Sequence, residues 1–215
     1  MARKKELKKA EFKLLENCFH RDQGMAGKWK EVFGNEYPIT FELGCGKADF
    51  SYGMAARFPE RNFVGVDLKM DRMWYAAQNA RGDKVSNLAM LFTHLLQIDE
   101  CVAEGEADEL WITFPDPYPK NRQAKHRMVN ANFLDKYRKV LRTGGKVHYK
   151  TDNLELFHYS LEVFVAYPGL SLQDLSFDLH EADRLPSHVK ITTHYERQFM
   201  EMGKKINYVS FTFEG

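Results

Sequence analysis

An alternation of short apolar runs with helical patterns is the feature that most constrains the fold of this chain. Runs typical of buried strands span residues 38–43, 61–67, 88–92, 108–114 and 146–150, and helical patterns span residues 50–58, 70–81, 97–104, 129–141 and 154–167. Two further strand-like runs, 170–179 and 206–213, follow without a clear helix between them. Strands separated by helices form a parallel sheet covered on both faces. We therefore predict one α/β domain whose last two strands form an antiparallel edge pair.

Composition narrows the class of protein further. Of 215 residues, 44% are hydrophobic and 28% charged, as in a globular domain. The net charge is only +1, so a nucleic-acid surface has to arise from local clusters of cations. Three cysteines without a Cys-x-x-Cys pair and eight histidines without short metal spacing indicate neither a disulfide framework nor a metal site. No apolar run approaches ~18 residues, and the N-terminus is too charged for a signal peptide. We expect a cytoplasmic protein without a membrane partner.

Residues 1–35 are interpreted as a basic N-terminal arm with a capping helix, and residues 36–215 as the main domain. Six cations and two acids lie within residues 1–13. A frayed, solvated tail accounts for such a run. The alternative is an arm that contacts phosphates once a partner is bound. Residues 29–33 predict a short helix or turn before Gly34.

A Gly-x-Gly turn, Gly44 to Gly46, follows the first strand of the main domain. Asp67 ends the next strand, 21 residues beyond Gly46, where a carboxylate accepts hydrogen bonds from ribose hydroxyls. Asp49 occupies the place of the third glycine of a dinucleotide fingerprint, and Glu42 precedes the turn. Carboxylates there oppose a pyrophosphate and favour a cation, although Glu42 also fits an ordinary strand end. A ribose-bearing cation without phosphate is S-adenosyl-L-methionine, which we predict as the cofactor.

An aspartate between prolines follows the strand at 108–114. Pro115 and Pro117 bracket Asp116, and because prolines fix φ and lack an N–H, they hold this carboxylate on a stiff backbone at the strand tip. Four cations follow within eight residues, with no acid among them: Lys120, Arg122, Lys125 and Arg127. A structural turn with a solvated basic loop is the alternative interpretation. We predict a reactive-site carboxylate beside a phosphate-binding loop.

With both turns placed, the chain resembles the class I methyltransferases and, more narrowly, the bacterial tRNA (guanine-N7-)-methyltransferases. The residues that carry the resemblance are Phe41-Glu-Leu-Gly-Cys-Gly46, Val64-Gly-Val-Asp67, Phe114-Pro-Asp-Pro-Tyr-Pro-Lys120, Lys150-Thr-Asp-Asn153 and Thr193-His-Tyr-Glu196. They run from residue 41 to residue 196 in the order of the family. The proline-bracketed aspartate and the late Thr-x-Tyr-Glu are the specific motifs, whereas the glycine turn is common to class I methyltransferases.

The resemblance implies a Rossmann-like, doubly wound, mostly parallel sheet of seven strands with the last strand antiparallel. It implies methylation of N7 of guanine 46 in the variable loop of tRNA, with S-adenosyl-L-methionine as donor and no metal, by a monomer or homodimer. We assign the cofactor site to Glu42, Gly44, Gly46, Asp67, His94 and Asp116. Asp116 is also the predicted catalytic residue. We assign substrate contacts to Lys120, Arg122, Lys125, Arg127, Asp152, Thr193, Tyr195 and Glu196.

The predicted chemistry suits these residue types. Guanine N7 is a bare lone pair, so methyl transfer requires alignment and exclusion of water rather than a base. A carboxylate at Asp116 can accept hydrogen bonds from guanine N1–H and the exocyclic amine, and it favours the positive charge that the methylated purine acquires. Tyr118 and Tyr195 lie inside motifs and are candidates for base stacking.

The chain departs from the family pattern at three positions. His94 stands where an acidic residue commonly ends the strand at 88–92, and as neutral imidazole it can accept a hydrogen bond from the adenine amine. The alternative is a His94 side chain that points away while backbone groups bind the adenine. Gln123 and His126 stand in the basic loop where the family frequently has His and Arg, which predicts a weaker grip on RNA.

Two other functions fit parts of the pattern. The first is an amino-methyltransferase acting on another nucleobase or on protein, which resembles this site through an (Asp/Asn)-Pro-Pro-aromatic tetrad. In this chain the aspartate and prolines are spaced differently from that tetrad, and a lysine and a basic run follow them, which favours guanine instead. The second is a non-catalytic RNA-binding module with a degenerate cofactor pocket, which the intact Glu42, Asp67 and Asp116 disfavour.

Overall fold

The structure is a computed structural model that describes residues 2–214. Outside this part lie the side chains of Ala2 and His194. Outside it also lie residues 1 and 215, which are the outer ends of the predicted N-terminal arm and of the predicted main domain. The described strands are β1 (Cys18–His20), β2 (Ile39–Leu43), β3 (Asn62–Asp67), β4 (Leu88–Phe92), β5 (Ala107–Thr113), β6 (Leu141–Thr151), β7 (Leu170–Ser176) and β8 (Asn207–Phe213). They form one sheet in the order β1-β4-β3-β2-β5-β6-β8-β7.

Strand direction confirms the predicted sheet. Neighbouring strands from β1 to β6 pair in parallel, and β8 is antiparallel to both β6 and β7. The sheet has one strand more than the seven predicted, because β1 adds a three-residue strand beside β4. A strand of three residues is too short to show an alternating pattern in sequence.

Helices cover both faces of the sheet, as the alternating pattern predicts. They are α1 (Ala2–Phe12), α2 (Trp29–Phe33), α3 (Asp49–Arg57), α4 (Met70–Gly82), α5 (Ala131–Val140), α6 (Leu154–Ala166) and α7 (His194–Glu201). The weak helix predicted at 97–104 is a 3₁₀ helix over Leu95–Glu100. The sheet separates two apolar clusters, one containing Trp29 and Phe157 and the other containing Phe50 and Met73.

The N-terminal segment is a packed helix in this structure rather than a frayed tail. Phe12 is fully buried in the same cluster as Ala77 of α4. Lys5 pairs with Asp71 at 3.8 Å, and Lys8 bonds the Tyr75 hydroxyl. Burial of an aromatic side chain contributes about 1.5–3 kcal/mol, which favours docking of α1 on α4.

The chain reverses its winding direction at β2, which has β3 on one side and β5 on the other. In open α/β sheets a ligand crevice lies at such a point, beyond the carboxyl ends of the strands. The glycine turn leaves β2 at this point and the Asp116 turn leaves β5 beside it. The fold therefore brings together two motifs that are about seventy residues apart in sequence.

Candidate functional site

Backbone geometry makes the glycine turn a close-fitting cradle. Gly44 and Gly46 have φ of +73° and +58°, in the left-handed region that favours glycine. The backbone N–H of Gly44 donates to the Val66 carbonyl at 2.8 Å, which fixes the turn against β3. A Cβ on Gly44 would lie 3.0 Å from the Met128 Sδ atom, so a larger residue would crowd this turn.

Asp67 anchors the turn from the tip of β3. Its Oδ2 atom accepts a hydrogen bond from the Gly46 N–H at 2.8 Å. A carboxylate has about four acceptor sites, so Asp67 can accept from ribose hydroxyls while it holds the turn. An acceptor carboxylate beside a glycine turn fits S-adenosyl-L-methionine, which carries ribose hydroxyls and a positive charge but no phosphate.

Glu42 lies beneath the turn and is only 2% exposed. Its Oε2 atom accepts hydrogen bonds from the Ser51 N–H at 3.1 Å and the Ser51 hydroxyl at 2.6 Å, and its Oε1 accepts from the Thr113 hydroxyl at 2.6 Å. Burial raises the pKa of Glu42 to about 7, although these hydrogen bonds oppose the rise. Glu42 thus joins β2 to α3 and β5, and its direct contact with the cofactor stays a prediction.

The raised pKa of Glu42 predicts a pH dependence of stability. Folding favours the protonated carboxyl, so this stabilisation is fully present below the ordinary value of 4.5 and is lost as pH rises through about 7. We expect the melting temperature of the wild type, relative to that of Glu42→Gln, to fall by several degrees between about pH 5 and about pH 8. Calorimetric melting of both proteins measures this difference, and a constant difference would contradict the assignment.

His94 caps the 3₁₀ helix that follows β4. Its Nδ1 atom accepts the Leu96 N–H at 3.1 Å, while the side chain is exposed. In a neutral imidazole the other ring nitrogen then carries the proton and donates. The predicted acceptance of a hydrogen bond from the adenine amine therefore does not suit this arrangement, and a donor contact to an adenine ring nitrogen does.

Asp116 is exposed on the turn that leaves β5. Two left-handed residues bound this turn, Phe114 at φ +51° and Tyr118 at φ +44°. Such backbone costs roughly 1–2 kcal/mol per residue outside glycine, so the surrounding structure has to hold it. Phe114 is held by its N–H bond to the Lys150 carbonyl at 2.9 Å and by the Phe199 ring at 5.6 Å. These contacts hold the first end of the Asp116 turn, and the part of Asp116 in the reaction stays a prediction.

The four predicted phosphate contacts fall into two groups. Lys120, Arg122 and Lys125 are exposed around the 3₁₀ helix Asn121–His126. Arg127 is half-buried and donates hydrogen bonds to the backbone carbonyl oxygens of Pro117 and Tyr118. The first three present their charges to solvent, whereas Arg127 contacts the chain itself.

Thr193 and Glu196 are buried and engaged inside the protein, although the resemblance implies that they contact substrate. Together they form a capping box at the start of α7: the Thr193 hydroxyl accepts the Glu196 N–H at 3.0 Å, and the Glu196 carboxylate accepts the Thr193 N–H at 3.2 Å. His180 Nε2 lies 2.8 Å from the same carboxylate. These contacts assign the pair a structural part in placing α7 beside the Asp116 turn.

The other predicted substrate residues lie at the same rim. Asp152 forms an ion pair with Lys204, and the structure shows no ion pair from Asp152 to Lys120 among the described residues. Tyr195 lies on α7 and is 44% exposed. The substrate contacts of Asp152 and Tyr195 stay predictions.

Sequence reasoning missed the role of Lys150. This residue is 0% exposed, and its Nζ atom lies 3.4 Å from both carboxylate oxygens of Glu196 and donates to the Ile191 carbonyl at 3.1 Å. Burial lowers the pKa of Lys150, and Glu196 opposes this. The sequence did contain a signal for this role, since Lys150 continues the apolar run of β6. A cation inside a buried strand needs a buried partner.

Two features were not found among the residues and side chains that the structure describes, which exclude the side chain of His194. No group of three or more His, Cys, Asp or Glu side chains is arranged to hold a metal ion. Among the described helices, none is long and apolar enough to cross a membrane.

Comparison with known proteins points to one family of enzymes. A family model described as a putative methyltransferase matches residues 36–209. The tRNA (guanine-N(7)-)-methyltransferase of Cytophaga hutchinsonii is 38% identical over 219 residues, 99% of both chains, and that of Porphyromonas gingivalis is 40% identical over 87% of this chain and 76% of its own.

Solved structures support the fold. The 16S rRNA methyltransferase KamB has a TM-score of 0.63 at 16% identity, covering 89% of this chain and 95% of its own, and the antibiotic-resistance methyltransferase Kmr has a TM-score of 0.60 at 16%, covering 86% and 91%. The fold, the crevice and relatives aligned over nearly the whole chain place this protein in the tRNA (guanine-N7-)-methyltransferase family of S-adenosyl-L-methionine-dependent enzymes.

Proposed function

We propose that this enzyme transfers a methyl group from S-adenosyl-L-methionine to N7 of guanine 46 in the variable loop of tRNA. The observation that carries the proposal is the position of Asp116, exposed beside the glycine turn between Phe114 and Tyr118 of positive φ, with exposed cations next to it. Incubation with labelled cofactor and unmodified tRNA, followed by nucleoside analysis, tests it. Labelled 7-methylguanosine is expected, and its loss from a tRNA with adenine at position 46 identifies the site. Label in another nucleoside would contradict the proposal.

Each crevice residue has a distinct part in this reaction. The cofactor supplies an electrophilic methyl group when it is bound. Asp67 would accept hydrogen bonds from its ribose hydroxyls, and His94 would donate to a ring nitrogen of its adenine. Asp116 would accept from the N1–H and amine of guanine and stabilise the charge that the base acquires. Since N7 has no proton to lose, we propose that neither a general base nor a metal takes part.

We propose that Lys120, Arg122 and Lys125 bind phosphates of the tRNA backbone. Support comes from their exposure on and just before one short helix that follows the Asp116 turn. Tyr118 and Tyr195 would stack on the extruded base, and extrusion costs a few kcal/mol. Asp152, held by Lys204, would line the pocket of that base.

Replacing Arg122 and Lys125 together by alanine is expected to weaken tRNA binding and its salt dependence. Each phosphate contact contributes about 0.7–0.9 to the slope of log affinity against log salt, so the slope should flatten by roughly 1.5. Filter binding at several salt concentrations measures it, with cofactor affinity unchanged as the control. An unaltered slope would show that RNA binds to another surface of the protein, for which α1 is the first candidate.

We propose residues 36–215 as the methyltransferase domain and residues 1–35 as a basic N-terminal arm and capping helix that pack on it. The start of the family match at residue 36 supports this division. We further propose that the enzyme acts in the cytoplasm as a monomer or homodimer. Sedimentation of the protein with and without tRNA tests the oligomeric state.

A further inference from the structure

The Asp116 turn carries backbone strain at both ends, and the two ends are held differently. At the first end, Phe114 is bonded to a neighbouring strand of the sheet. At the other end, Tyr118 has a φ of +44° on the side of the turn that faces the basic loop. Strained backbone persists only where surrounding contacts over-determine it. The position of Asp116 therefore depends on what holds Tyr118.

Arg127 supplies the contacts at that end. Its Nη2 and Nε atoms donate to the Tyr118 carbonyl at 3.0 and 3.3 Å, and Nε also donates to the Pro117 carbonyl at 3.2 Å. The guanidinium lies over the Tyr159 ring of α6, 4.2 Å from its centroid. This distance suits a cation–π interaction, to which the planar guanidinium is adapted.

The backbone of Arg127 is fixed as well. Its N–H donates to the Ala124 carbonyl at 3.0 Å, and its carbonyl accepts from the Asn130 side chain at 3.0 Å. Both ends of this side chain are thus attached, one to the base of α5 and the other to the turn. A cation that reaches for phosphate would instead extend into solvent, as Arg122 and Lys125 do.

We infer that Arg127 is a positioning residue of the reaction, which holds the Asp116 turn through the Pro117 and Tyr118 carbonyls and through Tyr159. The inference rests on the proposed function, because it gives the turn a catalytic purpose. Asp116 meets the base, and Arg127 acts through Asp116. A displacement of about 1 Å at a reacting group can cost on the order of 10²-fold in rate. Loss of the Arg127 contacts to the turn and to Tyr159 is therefore expected to affect turnover more than RNA binding.

The decisive variant is Arg127→Lys, which keeps the charge and loses the forked donors and the planar stack. We expect single-turnover methyl transfer at saturating tRNA to fall about 10- to 100-fold, with tRNA affinity and its salt slope unchanged. Arg127→Ala should behave alike. Retention of the wild-type rate by Arg127→Lys, with a salt slope flattened by about one in Arg127→Ala, would overturn the inference and make Arg127 a phosphate contact.

A second pair of variants tests the same contact from α6. Tyr159→Phe keeps the ring face and should keep the rate, whereas Tyr159→Leu removes it and should lose rate in the manner of Arg127→Lys. Equal rates in both Tyr159 variants would exclude the ring from the contact. Arg142→Lys, a change at an exposed arginine paired with Asp108 at the end of β5 opposite to the Asp116 turn, serves as the matched control.

Amide hydrogen exchange separates failure of this inference from failure of the proposed function. Exchange of the Phe114 and Gln123 amides, which flank the turn and donate to the Lys150 and Lys120 carbonyls, should be at least about tenfold faster in Arg127→Lys and Tyr159→Leu than in the wild type or Arg142→Lys. This readout needs neither cofactor nor tRNA. If exchange is accelerated but the enzyme methylates another base, Arg127 holds the Asp116 turn and the proposed substrate is wrong. Unaltered exchange would show that Arg127 does not hold the turn.

Discussion

Replacing Asp116 by asparagine is expected to lower the rate of methyl transfer at least ~10²-fold, the scale for losing one electrostatic contact in a transition state. An amide keeps the shape of the carboxylate but carries no charge to stabilise the positive purine. Its NH₂ group also faces the donors of guanine. Single-turnover assays with saturating cofactor measure the step directly. Binding of S-adenosyl-L-methionine should change much less, because Asp67 and the glycine turn are untouched.

The matched control for Asp116→Asn is Glu60→Gln, at an exposed carboxylate between α3 and β3, on the opposite edge of the sheet. This variant should have the rate of the wild type. A rate within threefold of wild type in Asp116→Asn would remove Asp116 from the reaction. An equal loss of cofactor affinity and rate would instead make it chiefly a cofactor contact.

Replacing Lys150 by methionine is expected to produce the largest loss of stability, about 3–5 kcal/mol, the scale for removing one partner of a buried ion pair. Glu196 would remain 0% exposed with a charge that only hydrogen bonds compensate. The paired change Lys150→Met with Glu196→Gln removes both charges and should recover a large part of the loss. Urea unfolding of the three proteins measures these differences.

The exposed pair Lys30–Glu36 provides the comparison for Lys150→Met. Its charges lie in solvent, so Lys30→Met should leave the unfolding midpoint unchanged. If Lys150→Met is as stable as the wild type, the pair does not hold the segment that precedes α7. If the doubly changed protein is less stable than Lys150→Met, Glu196 stabilises the capping box more than its buried charge destabilises it.

Local patterns in the sequence determined the architecture of this enzyme. Period-two and helical runs predicted the parallel sheet and its antiparallel edge, because each pattern reports which face of one element is buried. The glycine turn, Asp67 and the proline-bracketed Asp116 were recognisable because backbone requirements act within a few residues. The family resemblance added the substrate. The three-residue β1 and the docking of α1 were missed, since their stability comes from contacts with α4 and β4.

Tertiary structure alone decided what the charged side chains do. From its place in the basic loop, Arg127 was predicted to contact phosphate, and from the family resemblance Glu196 was predicted to contact substrate. Yet Arg127 meets Tyr159, and Glu196 meets Lys150, which is 46 residues away in sequence. A charged side chain that is paired inside the fold is not available to bind RNA. It stays paired because an unpaired buried charge is costly. Which cations and carboxylates remain for RNA is therefore set by long-range packing, which no local pattern records.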